Sequence, residues 1–431
     1  MTKPMNFLFT TAHMGGNVSP ILPILRRLAE RGHGVRLMSD DVNREDADAV
    51  GAEFAGWKRA PNRPSKSREF DPPDWSVSDR EGLRMVAGFL AGTALPYAAD
   101  TREELQRKPA DLVVNFDMLL GPSLGCESLG QKLALLSTQI SFFPLKGIPP
   151  FGSGLGVARN PAALEEQERA REEIVAMFDT GLPALNAARA EFSLPPLAHL
   201  SEQWNAAAAH WLGTARAFDL PGAELRPNMS YAGPLLGDPL WADAWRSPWP
   251  ADDRRPLVMA SFSTSFQNHV AILQRLVDAA ADLPVRLLVT LGGPIEPGEI
   301  KPAANTIVVA SAPHLEVMRE AAIVVTHGGH GTIMAALANR MPILVIPHGR
   351  DQNDNAARIR EHGAGLTVSR QAPTEDIRAA LARLLEEGAF RERAKALGDA
   401  VMAEARDSTL IEDLEALAAA KAPIRAAGIS T

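Results

Sequence analysis

The chain has 431 residues, too many for one ordinary hydrophobic core, so two domains of roughly 200 residues each are expected. With 22% charged and 46% hydrophobic residues it reads as globular, and a net charge of −8 with a pI near 5.8 argues against a nucleic-acid or anionic-membrane surface. No apolar run approaches the roughly 18 residues that cross a bilayer, and a single cysteine, Cys126, excludes an intrachain disulfide or a cysteine-rich metal site, which points to a reducing cytoplasm.

Met5 to Phe9 is apolar after one lysine but lacks a cationic leader and a small-residue cleavage site, so it reads as the start of a first strand. That strand runs from Phe7 to Ala12, and His13 to Asn17 form a glycine-containing loop. Ser19-Pro20 then reads as an N-cap followed by proline at the first helical position. The helix carries Ile21, Leu22, Ile24, Leu25 and Leu28 and stops at Gly32, and Val35 to Met38 is the next strand. Trp57 to Pro73 has no period and reads as a long surface loop, either functional or disordered. Helical patterns from Arg80 to Leu105 precede a strand at Asp111 to Asn115, with Asp117 at its end, then a small-residue helix and a strand at Lys132 to Ser137. Phe142 to Gly156, rich in proline and glycine, is a second long loop.

Between Gly233 and Pro256 periodicity disappears and Pro and Trp cluster, as in an interdomain linker. The expected division is residues 1–232, a linker at 233–255, a second domain at 256–406, and a terminal segment at 407–431. Leu257 to Ala260 opens a second strand-helix series: Phe262-Ser263-Thr264-Ser265 at a strand end, a helix from about 267 to 281, and strands at Val285 to Leu291 and Thr306 to Val309. Helical patterns at about 374–406 and 410–420 close the chain. The predicted class is α/β, with two doubly wound parallel sheets.

The most informative stretch is Thr326-His327-Gly328-Gly329-His330-Gly331-Thr332, between the apolar run Ala321 to Val325 and the helical pattern from Ile333. Strand, glycine turn and helix N-terminus together form an anion cradle, because unpaired N–H groups and the positive end of the helix dipole leave the turn in one direction. A strand at Met341 to Ile346 then delivers Pro347 through Asn355 to the same sheet edge, with Gly363-Ala364-Gly365 beyond. Open α/β sheets bind ligands along that edge, so a diphosphate and a polyol are expected there together.

From His327 to Gly365 the sequence resembles the donor signature of GT-B nucleotide-sugar-dependent glycosyltransferases of the antibiotic, macrolide and plant UGT type: HxGxGT, a helix, then P, DQ, N and GxG. The segment from Pro20 to Val35 resembles the same family's N-terminal pattern. The resemblance implies two Rossmann-like domains facing across a cleft, a last helix crossing back to the first domain, and an acceptor pocket lined by the two long loops. It implies a metal-independent transfer from a dTDP- or UDP-sugar co-substrate to a small-molecule hydroxyl, with inversion.

Such a transfer needs a base for the acceptor proton and a positive cradle for the departing nucleotide diphosphate. The resemblance assigns the cradle to His327 with the N–H groups of Gly328, Gly329, His330, Gly331 and Thr332, and the sugar hydroxyls to Asp351 and Gln352, a pair that would otherwise be a surface-loop feature. Ser263 resembles the strand-end serine near the diphosphate, and His314 sits where relatives hold Gln or His near the nucleotide base, although the stacking tryptophan of plant relatives is Ser311 here. The family's usual catalytic histidine position holds Asn17. His13, the only imidazole in that loop, is the expected base, and Asp117 is either its carboxylate partner or a helix N-cap. His327, His330, His348 and Asp351 have zinc-ligand chemistry, but the first two straddle a glycine turn and the resemblance implies no metal. Where ribonucleotide users often place Glu, the chain has Ala335, after Met334, which favours a deoxyribose donor. A nucleotide-sugar epimerase and a non-catalytic glycosyltransferase-like partner protein are the alternatives.

Overall fold

The apolar runs of the first half become seven strands of one parallel sheet, here described from a computed structural model: β1 Asn6–Thr10, β2 Gly34–Ser39, β3 Glu53–Gly56, β4 Leu112–Phe116, β5 Leu133–Ser137, β6 Ala209–Leu212 and β7 Met229–Tyr231. The structure describes residues 3–14, 16–65, 79–237, 245–262, 269–292 and 295–420. Six further strands form a second parallel sheet: β8 Leu257–Ser261, β9 Arg286–Thr290, β10 Thr306–Val309, β11 Ala321–Thr326, β12 Ile343–Val345 and β13 Gly365–Thr367. Strands such as β4, β5 and β8 are buried at every position, which explains continuous apolar runs in place of alternation.

The sheet orders are β3-β2-β1-β4-β5-β6-β7 and β10-β9-β8-β11-β12-β13. In each, the first strand of its series lies beside the fourth, so connections leave in opposite directions and a crevice opens at the carboxyl ends. Thr10 is level with Asn115 at one crevice, and Ser261, Thr326 and Val345 are level at the other. Two Rossmann-like parallel sheets are thus present, as the resemblance implies.

The helices of the first half are α1 Leu22–Glu30, α2 Arg44–Ala49, α3 Asp79–Gly92, α4 Ala94–Arg107, α5 Leu120–Leu129, α6 Pro161–Asp179 and α7 Leu182–Ala190. The second half adds α8 Val270–Ala281, α9 His314–Met318, α10 His330–Ala338, α11 Gln352–His362, α12 Thr374–Glu386, α13 Gly388–Arg406 and α14 Leu410–Ala419. Ser19 does not cap α1: Ser19–Ile21 is one 3₁₀ turn without a side-chain cap, and α1 begins at Leu22 with a second proline, Pro23, in its first turn. The stop at Gly32 holds, with φ 88°. Residues 57–65 are irregular as expected, but Trp57 and Ala60 are buried. Buried Asp100 draws that segment inward by accepting the N–H groups of Lys58, Arg59 and Ala60 at 2.8, 2.8 and 3.0 Å.

Helix α14 returns to the first sheet. Leu410, Ile411 and Leu414 pack with Leu22, Leu25 and Leu28 of α1, and Glu415 bonds Arg31 through both carboxylate oxygens at 2.7 and 2.9 Å. His33 also donates to Glu415 at 2.8 Å, because its Nδ1 accepts the Met5 N–H and leaves the proton on Nε2. Lys132 closes the helix by donating to its last carbonyls, among them Ala420 O at 2.8 Å.

Candidate active site

The donor wall is built where β11 ends. Gly328 has φ 99°, and a Cβ there would stand 2.8 Å from Val345 Cγ1, so only glycine makes the turn. A Cβ on Gly329 would lie 2.7 Å from His327 Nε2, so the missing side chain lets that ring fold across the turn. Part of the expected cradle is already occupied. Gly328 donates its N–H to Thr326 Oγ1 at 3.2 Å and His330 donates its N–H to Asp351 Oδ2 at 3.2 Å. Gly329, Gly331 and Thr332 line the cavity at the start of α10, where the first-turn N–H groups have no intrahelical acceptor, and a Cβ added at Gly331 would meet open space.

The second loop is tied to the first by its amides. Asn355 donates to Gly328 O at 2.8 Å and to Asp351 Oδ2 at 2.9 Å, while Gln352 Oε1 accepts the His348 N–H at 2.7 Å. Asp351 and Gln352 both line the cavity, Asp351 accepting the His330 N–H and Gln352 the His348 N–H. Burial raises the Asp351 pKa to about 6, against the pull of the Arg350 cation and the His330 N–H. Burial lowers His327 to about 3, helped by the facing His348 ring and by Arg350, and lowers His330 and His314 to about 4. The imidazoles of this wall are neutral at pH 7. Arg350 is then the one permanent cation among the described residues lining the cavity. Its backbone is left-handed, φ 60°, a conformation that costs a non-glycine residue about 1–2 kcal/mol and recurs at functional sites.

The opposite wall comes from the first sheet and is apolar. Leu83, Phe116, Met118, Phe142, Phe151 and Leu236 line it, with Asn17, Ser19, Thr138 and Gln139 as its polar groups. Phe142 packs edge-on against Phe151 and Phe178, both at 4.8 Å between ring centres, which stiffens the wall. The two walls enclose about 300 Å³.

Residues 274–417 match the erythromycin biosynthesis protein CIII-like C-terminal domain. The chain is 27% identical over 418 residues to 4'-demethylrebeccamycin synthase of Lentzea aerocolonigenes, covering 91% of this chain and 94% of that protein. It is 26% identical to demethyllactenocin mycarosyltransferase of Streptomyces fradiae, over 81% of this chain and 72% of that one. Among solved structures, the glycotransferase of kitacinnamycin superposes with a TM-score of 0.75 at 20% identity, covering 96% of this chain and all of that one. The glycosyltransferase VinC, solved in complex with dTDP, superposes with a TM-score of 0.66 at 16% identity, covering 96% of this chain and 100% of that one. The protein is a glycosyltransferase with the GT-B fold, similar over most of its length to enzymes of antibiotic and natural-product biosynthesis.

His314, His327, Gly329, Gly331, Thr332, Asp351 and Gln352 line one cavity. Gly328 lies behind it as the turn that shapes it. His314 Nε2 stands 3.2 Å from Ser261 Oγ at the end of β8. Ser263 lies outside the described residues.

The expected pairing of His13 with Asp117 does not form. Asp117 points toward β5 and β6, where its Oδ2 accepts from Ser137 Oγ and lies 3.2 Å from His210 Nε2. Nor is it an N-cap, because α5 is preceded by Leu119. His13 turns the other way: its N–H donates to Asp40 at 2.5 Å and its Nδ1 lies 3.1 Å from Asn43 Oδ1. Asn43 donates its amide to Ser39 Oγ at 2.8 Å, so its oxygen faces His13 and Nδ1 is the protonated nitrogen. His13 is not among the cavity-lining residues, although its neighbours Met14, Gly16 and Asn17 are. Asn17 lies at the cavity with its amide donating to Thr11 Oγ1 and Ala12 O at 2.8 and 2.7 Å.

His330 turns its Nε2 to Gly213 O across the domain boundary, 3.2 Å away, and no cluster of His, Cys, Asp or Glu among the described residues has the geometry to hold a metal. Among the described residues no helix is long and apolar enough to cross a membrane. Sequence reasoning missed Arg350, Asn43 and Asp354. A basic residue beside the DQ pair was the available sign for Arg350; Asp354 looks like an ordinary acidic residue in a helix's first turn.

Proposed function

We propose that the protein is an inverting glycosyltransferase that moves a sugar from a dTDP- or UDP-sugar to a hydroxyl of a largely apolar, ring-bearing natural product. What carries this reading is one cavity with two unlike walls: N–H donors, a cation and the Asp351–Gln352 pair on one side, rings and thioethers on the other. The diphosphate is placed over the N–H groups of Gly329, Gly331 and Thr332, with neutral His327 as a further donor and Arg350 as countercharge. Asp351 and Gln352 take the sugar hydroxyls. The acceptor oxygen attacks the anomeric carbon from the face opposite the diphosphate. As the bond to the phosphate oxygen breaks, its electron pair leaves with the nucleotide.

His13 is the base in this reading. His13 stands outside the cavity lining with its Nδ1–H held by Asn43, so in this reading the ring turns toward the cavity, where Met14, Gly16 and Asn17 of the same loop already stand, to take the acceptor proton. Arg350 and the α10 N-terminus supply the positive field, so transfer is expected to persist in a chelator. Ala335 lines the cavity where a carboxylate would read a ribose 2′-hydroxyl, and a relative of this fold was solved with dTDP, which together support a thymidine donor.

Mass-spectrometric screening of dTDP- and UDP-sugars against a panel of aromatic and macrolide alcohols tests the reading. A glycosylated acceptor plus free nucleoside diphosphate is expected. Conversion of the nucleotide sugar to an isomer without acceptor would make the protein an epimerase, and nucleotide binding with no turnover of any pair would make it a non-catalytic partner.

A further inference from the structure

Helix α11 starts at the donor pair and runs out along the boundary between the two halves of the chain. One turn in, Asp354 is 3% exposed, and its two oxygens accept the N–H groups of Gly152 at 2.6 Å and Gly154 at 2.8 Å from the first half. Both glycines have positive φ, 82° and 64°, which turns their N–H groups toward one point and makes a backbone nest for a carboxylate. The fit is close. A Cβ on Gly154 would stand 2.8 Å from Asn353 Cβ, and one on Gly152 would stand 2.9 Å from Leu83 Cδ1. The loop so held carries Phe151 and Gly152, which line the cavity.

The same helix has separate contacts that hold the halves together away from the cavity. Arg358 forms a buried ion pair with Asp219 at 2.6 Å, and Glu361 pairs with exposed Arg159 at 2.6 Å. Asp354 alone among these three reaches a loop that faces the acceptor space.

Resting on the glycosyltransferase reading, we propose that Asp354 is a positioning residue that sets the aromatic acceptor wall at a fixed distance from the donor sugar. One helical turn then carries both halves of the reaction geometry: Asp351 and Gln352 face the sugar, and Asp354 holds Phe151 opposite them. Replacing the carboxylate by an isosteric amide puts an NH₂ group against a glycine N–H, so one charge-assisted bond is lost and two donors face each other. The loop is released and the donor wall is left intact.

Steady-state kinetics at saturating donor, with calorimetry of the free nucleoside diphosphate, tests this. Asp354→Asn is expected to raise the acceptor KM by at least about tenfold, with nucleotide Kd changed less than about twofold. Gly154→Ala displaces the loop without touching the carboxylate and should give the same split, so the double variant should lose little more than either single one. Glu361→Gln, at the exposed pair, should move neither constant. An unchanged acceptor KM in Asp354→Asn or Gly154→Ala, or equal losses of acceptor and nucleotide affinity, overturns the inference while leaving transfer by the wild type standing. A wild type that glycosylates no acceptor overturns the underlying reading instead. Should Asp354→Asn fold poorly, Gly154→Ala decides.

Discussion

The donor wall comes mainly from one continuous stretch, His327 to Gln352, joined by His314, and much of it is backbone, whereas the acceptor wall gathers side chains from five or more separated segments of the first half. A diphosphate is the same in every donor, and N–H groups at a helix N-terminus bind it without needing a particular side chain. An apolar acceptor offers only shape, so its wall is made of side chains that can be exchanged one at a time. Function therefore divides between a wall whose turn glycines, Gly328 and Gly329, resist substitution and a wall whose residues tolerate it.

The strongest way to break that division is His13→Ala, since a base on the first-half loop would make this side chemically indispensable as well. Transfer should fall by about 10²–10⁴-fold while calorimetry shows nucleoside diphosphate binding intact. A loss below about tenfold would make His13 structural and place the base elsewhere.

Gly328→Ala sharpens the contrast from the donor side. A side chain at φ 99° meets Val345 Cγ1 at 2.8 Å, so the variant should be destabilised by about 1–3 kcal/mol in urea titration and should lose nucleotide affinity. Leu236→Met, on the acceptor wall, should cost under about 1.5 kcal/mol and alter only acceptor choice. Similar costs for the two variants would contradict the division.

Acid should affect the donor wall's shielding next. His314, His327 and His330 titrate near 4, 3 and 4 when folded and near 6.5 when unfolded. The unfolded chain thus takes up protons first as pH falls below 6.5, and stability drops. Asp351 and Asp354, held by burial at about 6 against 3.8, act in the opposite sense, gaining protons first in the folded state. The imidazoles outnumber the carboxylates, and His269, depressed further by burial beside His348 and His327, adds to them. The urea midpoint is expected to be lower at pH 5 than at pH 7.5, and equal midpoints would mean that the rings are solvated.

The smallest expected effect concerns the nucleotide. With Ala335 in place of a carboxylate, dTDP-glucose should be used at least as well as UDP-glucose, by a margin of roughly 1 kcal/mol. A kcat/KM preference for UDP above about tenfold, some 1.4 kcal/mol, would show that another side chain reads the ribose.

What the sequence determined by itself is what local chemistry encodes. The parallel strands are continuous apolar runs, the cradle is a strand closed by glycines that tolerate positive φ, and the Asp351–Gln352 pair follows the next strand end at short range. Tertiary structure alone decided which polar groups meet. Asp117 and His13 lie at neighbouring strand ends, yet one bonds toward Ser137 and His210 and the other toward Asn43, because each side chain follows the nearest buried partner that satisfies it. Asp354 meets Gly152 and Gly154 across 202 and 200 residues of chain, a separation at which no spacing pattern survives. The acceptor wall was legible only in part: the second long loop supplies Phe142, Phe151 and Gly152 as expected, none of residues 57–65 lines the cavity, and Leu83, Phe116, Met118 and Leu236 share it only after both sheets have folded.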